Sequence, residues 1–386
     1  MKFLKNLALV SILLVVIFPL TSSAETEVRI TGSGPILAID EPNVRVNIDL
    51  GLFVEVAGIA LEKHIDRDKF NSQKLGIGVA RGFLNSIKIY KLTLNGIAEN
   101  ARKPRTAERS LRITSGGRSI DLDLGILIEE IRLSAESGKL GRNPDKNAIV
   151  VGMIKGFLGS LDRYSYFATN KEEVEHRKML DGKPEEKGGP EPQTVACGIM
   201  NISGHKVGII KIVIFDKVTQ NQYERDMKEL LALNPEYLIY DLRDNPGGYL
   251  QTVGEMLAMT VGKGKVIFST EEEPGKLIHV RGTNESGEGL VPSAKTRIKK
   301  IVCLINRGTA SSGEIMTAGL KDVLGARLVG ERTYGKGTAL DPCKLKSGRG
   351  VCYIVAARWY TPSGKCVDGT GIIPDVMVRF VPQGTF

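Results

Sequence analysis

Tyr237-Leu238-Ile239-Tyr240-Asp241-Leu242-Arg243-Asp244-Asn245-Pro246-Gly247-Gly248-Tyr249-Leu250 is the stretch that decides the fold. Its first six residues, five of them apolar or aromatic, make a short unbroken run of the kind a strand buried on both faces needs. Asn245-Pro246-Gly247-Gly248 then reads as a tight turn, and a helix is predicted from Leu250. The same order recurs on both sides. Lys206 to Phe215, rich in Val and Ile, predicts a strand, and Thr219 to Leu233 has helical spacing at Met227, Leu230 and Leu231. Lys300 to Ile305 predicts another buried strand, followed by a Gly/Ser loop and a helix through Leu324. Repeated βαβ units imply an α/β domain with a mainly parallel sheet and helices on its faces. Loops at the carboxyl ends of such strands are where a site is expected.

Upstream the pattern changes. Asp181 to Gln193 contains no large apolar residue and predicts a linker, so the α/β domain is expected at 194–386 and a separate region at 25–180. That region repeats itself. Ile48-Asp49-Leu50-Gly51-Leu52 matches Leu122-Asp123-Leu124-Gly125-Ile126 at an offset of 74. In the same register Gly78 to Ile87 matches Gly152 to Leu161, each with Gly-x-x-x-Gly-Phe-Leu. Two copies are too few for a solenoid. They predict a duplicated helical hairpin whose glycines let helices pack closely, preceded by short strands near Val28 to Ile30 and Val44 to Ile48.

Lys2 and Lys5, the apolar run Leu7 to Leu20 and the small residues Thr21-Ser22-Ser23-Ala24 read as a secretory signal cleaved after Ala24, with an uncleaved anchor as the other reading. A largely apolar run of fourteen residues is short for a membrane span, and no later stretch is as long as a span requires. An exported, most simply periplasmic, chain with no integral membrane segment after cleavage is expected. The formal charge is +9, and +7 without Lys2 and Lys5. Its basic residues are dispersed, so a nucleic-acid partner is not expected. Four scattered histidines argue against a zinc site, and neither a metal nor a cofactor is called for. The five cysteines, Cys197, Cys303, Cys343, Cys352 and Cys366, leave at least one thiol without an intramolecular partner.

Two loops of the α/β domain carry the chemistry. In Asp244 to Gly248, a glycine pair after a strand leaves backbone N–H groups uncovered, as an oxyanion site requires; a plain tight turn would use the same residues. In Asn306-Arg307-Gly308-Thr309-Ala310-Ser311-Ser312-Gly313-Glu314, the chain passes from strand to helix. Ser311-x-x-Glu314 fits a capping box. It also fits a nucleophile at a helix N-terminus, with the Ser312 N–H directed at the same anion, although on these residues alone the cap is the plainer reading. No Gly-x-Ser-x-Gly elbow surrounds Ser311 and no histidine sits in a comparable loop. Lys336, in Thr333-Tyr334-Gly335-Lys336-Gly337-Thr338, also follows a strand-like run and can act as base if burial lowers its pKa; an exposed turn lysine is the plain alternative.

Taken in order, Asp241 to Gly248, Thr309 to Ile315, Tyr334 to Thr338, Tyr360-Thr361-Pro362-Ser363-Gly364-Lys365 and Gly371-Ile372-Ile373-Pro374-Asp375-Val376 resemble the carboxyl-terminal processing, or tail-specific, proteases of the S41 serine peptidase family. The resemblance covers roughly residues 195 to 380. Gly152 to Phe167, with Ser160-Leu161-Asp162, is similar to the helical segment that precedes the core in that family. The resemblance implies a ClpP/crotonase-like core that hydrolyses peptide bonds near protein C-termini. It implies Ser311 as nucleophile, Lys336 as general base, and Gly248, with Gly247, and the Ser312 N–H as the oxyanion hole. Asp322 matches an acidic position on the helix after the serine, as a supporting residue. The implied partners are protein or peptide substrates with accessible C-termini, with a homo-oligomer left open.

Two departures stand out. Leu340 occupies the place where many members have a glutamine that orients the lysine. Only 40 residues separate Phe167 from Val207, too few for the usual inserted PDZ domain. An inactive, protease-like binding or scaffold protein is therefore the competing reading. Finally, Cys343 and Cys352 flank the turn signal Ser347 to Gly350 and would face each other across a hairpin, which predicts a disulfide, with Cys366 as the rival partner.

Overall fold

The computed structural model describes residues 27–31, 34–41, 44–87, 110–141, 143–180, 191–282, 289–291 and 298–379. The expected signal at 1–24 and residues 181–190 of the expected linker lie outside them. The chain divides into two compact units, Met1–Glu173 with Leu340–Val355, and Val174–Ala339 with Ala356–Phe386. This differs from a division at 181–193. Leu340–Val355 groups with the first unit because Cys343, Leu345, Cys352 and Ile354 are buried in its apolar core.

The first unit opens with a three-stranded antiparallel sheet, β1 (Glu27–Thr31), β2 (Gly34–Glu41) and β3 (Val44–Asp49), followed by α1 (Gly51–Lys63) and α2 (Ser72–Ser86). A second hairpin, β4 (Ser110–Ser115) and β5 (Arg118–Asp123), precedes α3 (Gly125–Glu136) and α4 (Lys146–Leu161). The unit also contains β6 (Tyr166–Thr169), and α5 (Asn170–Leu180) starts at its edge. The repeat thus consists of a hairpin and two helices; the strands expected near Val28 to Ile30 and Val44 to Ile48 are β1 and β3, whereas the β4–β5 hairpin of the second copy was not expected. Its two copies share their local chemistry. Asp49 Oδ1 accepts the Gly51 N–H at 2.8 Å, and Asp123 Oδ1 accepts the Gly125 N–H at 2.8 Å. Asn71 caps α2 through the Lys74 N–H, and Asp145 caps α4 through the Ala148 N–H. Such side chains satisfy amides that a helix start leaves without partners.

The Gly-x-x-x-Gly faces of α2 and α4 meet. A Cβ placed on Gly82 would lie 1.9 Å from Gly152 O, and one on Gly156 would lie 2.0 Å from Gly78 O. The reciprocal positions are almost as tight, at 2.5 Å for Gly78 and 2.4 Å for Gly152. The missing side chains let two helix backbones touch, while Phe83 and Phe157, one residue beyond, are buried in the unit's core.

In the second unit the sheet contains β7 (Val195–Ile202), β8 (His205–Ile212), β9 (Tyr237–Asp241), β12 (Lys300–Ile305), β13 (Arg327–Gly330) and β16 (Val376–Met377), in the order β16-β13-β12-β9-β8-β7. Pairing is parallel from β8 through β16 and antiparallel only between β7 and β8. Helices α6 (Thr219–Ala232), α7 (Leu250–Val261) and α8 (Ser312–Leu324) supply the crossovers, and α7 packs against both of the others. The hairpin β10 (Val266–Glu273) and β11 (Lys276–Arg281) pairs with the end of β15 (Gly350–Tyr360) through Ser269, Thr270 and Glu271. Strand β14 spans Thr338–Lys344. This is the α/β architecture expected, with buried Tyr240, Leu257, Ile305 and Leu320 in its core. Because β9, β12 and β13 run in parallel, the loops after them emerge along one edge of the sheet.

The helix crossing makes a graded prediction. Gly82→Ala should destabilise the protein by about 1–3 kcal/mol through overpacking. Gly159→Ala, at an open helical position on the same α4, should be neutral or stabilise by up to about 1 kcal/mol. Chemical denaturation of both variants checks this, and equal stability of Gly82→Ala and wild type would contradict the crossing.

Candidate active site

Strand β9 ends in a charged knot. The Asp241 carboxylate accepts from Arg243 Nε at 2.8 Å, from another guanidinium nitrogen at 2.7 Å, and from Lys211 Nζ at 3.4 Å. Burial pushes the Asp241 pKa up, but the bonds from Arg243 prevail and hold it below the usual carboxylate range. Asn245 is fully buried and brackets three segments. Its Nδ2 donates to Ile212 O at 2.8 Å, its Oδ1 accepts the Gly247 N–H at 2.9 Å, and its carbonyl accepts the Ala310 N–H at 2.9 Å. The β12 loop is tied to the same turn. Asn306 Oδ1 accepts the Asp244 N–H, and Thr309 Oγ1 donates to Leu242 O.

Ser311 stands where that loop becomes α8, with φ 53° and ψ −120°. A non-glycine residue there is strained, and such strain survives only where the surroundings enforce it. The surroundings here are glycine and glutamate. At Gly247, with φ +104°, a Cβ would lie 2.8 Å from Ser311 Cβ and 2.9 Å from the Ser312 nitrogen. At Gly248, with φ +140°, it would lie 2.1 Å from Phe215 O. Ser312 Oγ donates to Gly248 O at 2.9 Å. The structure thus brings Gly247, Gly248, Ser311 and Ser312 together. It also separates their roles. The Gly247 N–H is taken by Asn245 Oδ1, so Gly247 does not fit the oxyanion donor implied for it. Among the described residues, the N–H groups of Gly248 and Ser312 have no protein acceptor.

Lys336 arrives on the neighbouring β13 loop. Its N–H donates to Glu314 Oε2 at 2.9 Å, and the same oxygen accepts the Ser311 N–H at 2.9 Å. Glu314 Oε1 accepts from Thr333 Oγ1 at 2.5 Å and from the Gly335 N–H at 2.8 Å. Trp359 closes the loop from the other side, its Nε1 donating to Lys336 O at 2.9 Å. Glu314 is fully buried; burial raises its pKa, and these four donors pull the other way without cancelling the rise. Sequence reading saw Glu314 only as the far half of a capping box. Its span to the lysine loop needs contacts across 22 residues, and no local pattern reports them. The positioning roles of Asn245 and Trp359 were hidden for the same reason.

Other expected residues fall elsewhere. Asp322 is ten residues along α8 from Ser312, a rise of about 15 Å. Its carboxylate accepts the Ser363 N–H at 3.0 Å and so holds the Thr361–Lys365 turn. Cys343 and Cys352, expected as a disulfide, are both free and buried in the first unit. The Cys343 thiol is directed at Asp341, 3.6 Å from its carbonyl and 3.7 Å from Oδ2. Leu340 also groups with the first unit. Among the described residues, no three His, Cys, Asp or Glu side chains gather as a metal site would require, and no helix is long and apolar enough to cross a membrane.

Glu314→Gln should lower stability by at least ~2 kcal/mol, since one amide oxygen cannot replace two carboxylate oxygens facing four donors. The sign of the pH effect also follows. A carboxyl whose folded pKa is raised contributes stability that declines as pH climbs from the unfolded value through the folded one. Glu314→Gln should remove that slope. Denaturation midpoints measured from acid to neutral pH, with identical slopes in both proteins, would contradict it.

Residues 206–378 match the profile described as peptidase family S41. A carboxy-terminal processing protease, CtpB, of Bacillus subtilis is 28% identical over 190 residues, 48% of this chain and 37% of that protein. A probable CtpA-like serine protease of Staphylococcus aureus is 31% identical over 173 residues, 45% of this chain and 33% of that protein. These matches span about a third of the length of each relative. Among solved structures, a photosystem II D1 C-terminal processing protease aligns over 65% of this chain and 86% of its own, with 18% identity and a TM-score of 0.49. The loops that bring Ser311, Glu314 and Lys336 together lie within the stretch, residues 206–378, that matches the peptidase family S41 profile.

Proposed function

We propose that the chain is a serine endopeptidase acting through Ser311 and Lys336. One observation carries the reading: a single buried carboxylate oxygen holds the backbone N–H of both residues, each at 2.9 Å. In this reading the neutral Lys336 amine takes the Ser311 hydroxyl proton as Oγ attacks a peptide carbonyl. The negative charge that develops on the carbonyl oxygen is received by the N–H groups of Gly248 and Ser312, for which no protein acceptor is found among the described residues, beside the positive end of α8. The tetrahedral intermediate collapses with the proton passing from Lys336 to the leaving amine, and water then hydrolyses the acyl-enzyme. The kinship with processing proteases favours polypeptide tails near their C-termini as substrates, and the leader-like first 24 residues favour an exported enzyme. Leu340, where related enzymes often carry glutamine, favours a second reading, a protease-like binding protein with little or no turnover.

Ser311→Ala and Lys336→Ala should each abolish peptide hydrolysis with the fold retained, whereas a purely capping serine would cost only ~1 kcal/mol of stability. A fluorophosphonate mapped to Ser311 separates enzyme from scaffold, because a scaffold would stay unlabelled. Activity should rise from neutral into alkaline pH, since a free lysine titrates at about 10.4 and the base must lose its proton. A rate that is flat across that range would remove Lys336 from the role.

A further inference from the structure

Two buried side-chain polar atoms have no hydrogen-bond partner among the described residues: Arg67 Nε in the first unit and Thr338 Oγ1 in the second. A buried hydroxyl left unpaired is costly, so such a group in a native protein calls for an explanation. Other buried threonines around the site are paired. Thr309 Oγ1 donates to Leu242 O, Thr317 Oγ1 to Gly313 O and Thr333 Oγ1 to Glu314 Oε1. Thr338 is 6% exposed and follows Lys336 by two residues.

The backbone between them sets where the two side chains point. Strand β14 starts at Thr338, and the Trp359 N–H already donates to Gly337 O at 2.9 Å. A Cβ on Gly337 would lie 2.4 Å from the Asp368 nitrogen and 2.6 Å from Asp368 Cβ, so this face of the chain is turned to Asp368. In extended chain successive side chains alternate between faces. Lys336 and Thr338 therefore share the opposite face, about 6.6 Å apart along the strand. The flexible four-carbon stem of lysine spans such a distance. Of the two carboxylates bonded to this loop, Glu314 is filled by its four donors. The other, Asp368, accepts the Gly337 N–H at 3.1 Å and stands on the face away from Lys336.

We infer that Thr338 is a positioning residue of the active site: its Oγ1 accepts an N–H of the neutral Lys336 amine and so directs the nitrogen lone pair at the Ser311 hydroxyl. The inference rests on the function proposed above. The Lys336 backbone is clamped, its N–H by Glu314 Oε2 and its O by Trp359 Nε1. Those bonds fix the backbone and not the amine, because a lysine stem keeps many rotamers. A base has to hold its lone pair toward the proton it takes, so its N–H groups need a fixed acceptor elsewhere. Threonine supplies a stiff one, since its branched Cβ restricts χ1. The bond belongs to the working complex, as catalytic hydrogen bonds tighten when substrate fills a site. It gives the buried hydroxyl its partner and the base its direction.

The test compares wild type, Thr338→Val and Thr338→Ser by hydrolysis of an unstructured reporter peptide and by the rate of fluorophosphonate labelling at Ser311, with denaturation midpoints alongside. Valine keeps the shape and removes the hydroxyl, whereas serine keeps the hydroxyl. Thr338→Val should lose about tenfold in kcat and in labelling rate, the worth of one hydrogen bond, with KM unchanged. Its midpoint should be no lower than that of wild type, because the hydroxyl removed has no partner to lose. Thr338→Ser should recover most of both rates. Thr338→Val at the wild-type rate would overturn the inference, as would equal losses in Thr338→Val and Thr338→Ser, or a loss confined to KM. If valine unfolds the protein, Thr338→Ala against Thr338→Ser asks the same question, and equal rates overturn it. Wild type that depends on Ser311 and Lys336 and is indifferent to Thr338→Val removes this inference alone. Wild type that neither labels at Ser311 nor cleaves the peptide overturns the peptidase reading with it.

Discussion

The Glu314 carboxylate is the group on which the site depends. It is buried at the start of α8, and each of its oxygens takes two donors. A carboxylate offers about four lone-pair positions, so its whole capacity is used in joining two loops. Those loops follow adjacent parallel strands, β12 and β13, so the span is short and the carboxylate need not stretch the backbone. Removing it from water raises its pKa, an electrostatic cost that the surrounding N–H groups offset in part. The return is geometric. Ser311 is held at a positive φ that an unconstrained serine would leave, and Lys336 is held beside it.

Absent side chains act in both units, with different results. In the second unit Gly247 and Gly248 bring one turn against both Ser311 and Phe215, at distances no Cβ would permit. Among the described residues, the N–H groups of Gly248 and Ser312 have no protein acceptor, as the proposed site for a transient anion needs. In the first unit Gly78, Gly82, Gly152 and Gly156 do the same for two helices, and the outcome is a packed core. Close approach of backbones is common to both.

The 74-residue repeat shows how far local chemistry persists. Aspartates before α1 and α3, side-chain caps before α2 and α4, and paired serines near the ends of α2 and α4 all recur in register. Each satisfies backbone groups within a few residues, so each copy can keep them independently. The glycine crossing differs, because it requires both copies at once. It gives the duplication a structural reason: each face supplies what the other lacks.

Sequence alone determined the βαβ successions of β8, α6, β9 and α7 and of β12, α8 and β13 in the second unit, because burial on both faces of a parallel strand writes itself as a continuous apolar run, as at Tyr237–Leu242. It also determined the repeat and the pairing of Ser311 with Lys336 as candidates, through ordered motifs. Tertiary structure decided what no local pattern encodes. Glu314 proved to tie its own loop to Lys336, 22 residues further on, Asn245 to take the Gly247 N–H, and Asp322 to hold a remote turn. Cys343 and Cys352 are free thiols in the core of the first unit, although their spacing suits a hairpin disulfide. In every such case the deciding contact runs between segments distant in sequence, where hydrogen-bond geometry and burial, rather than spacing, select the partner.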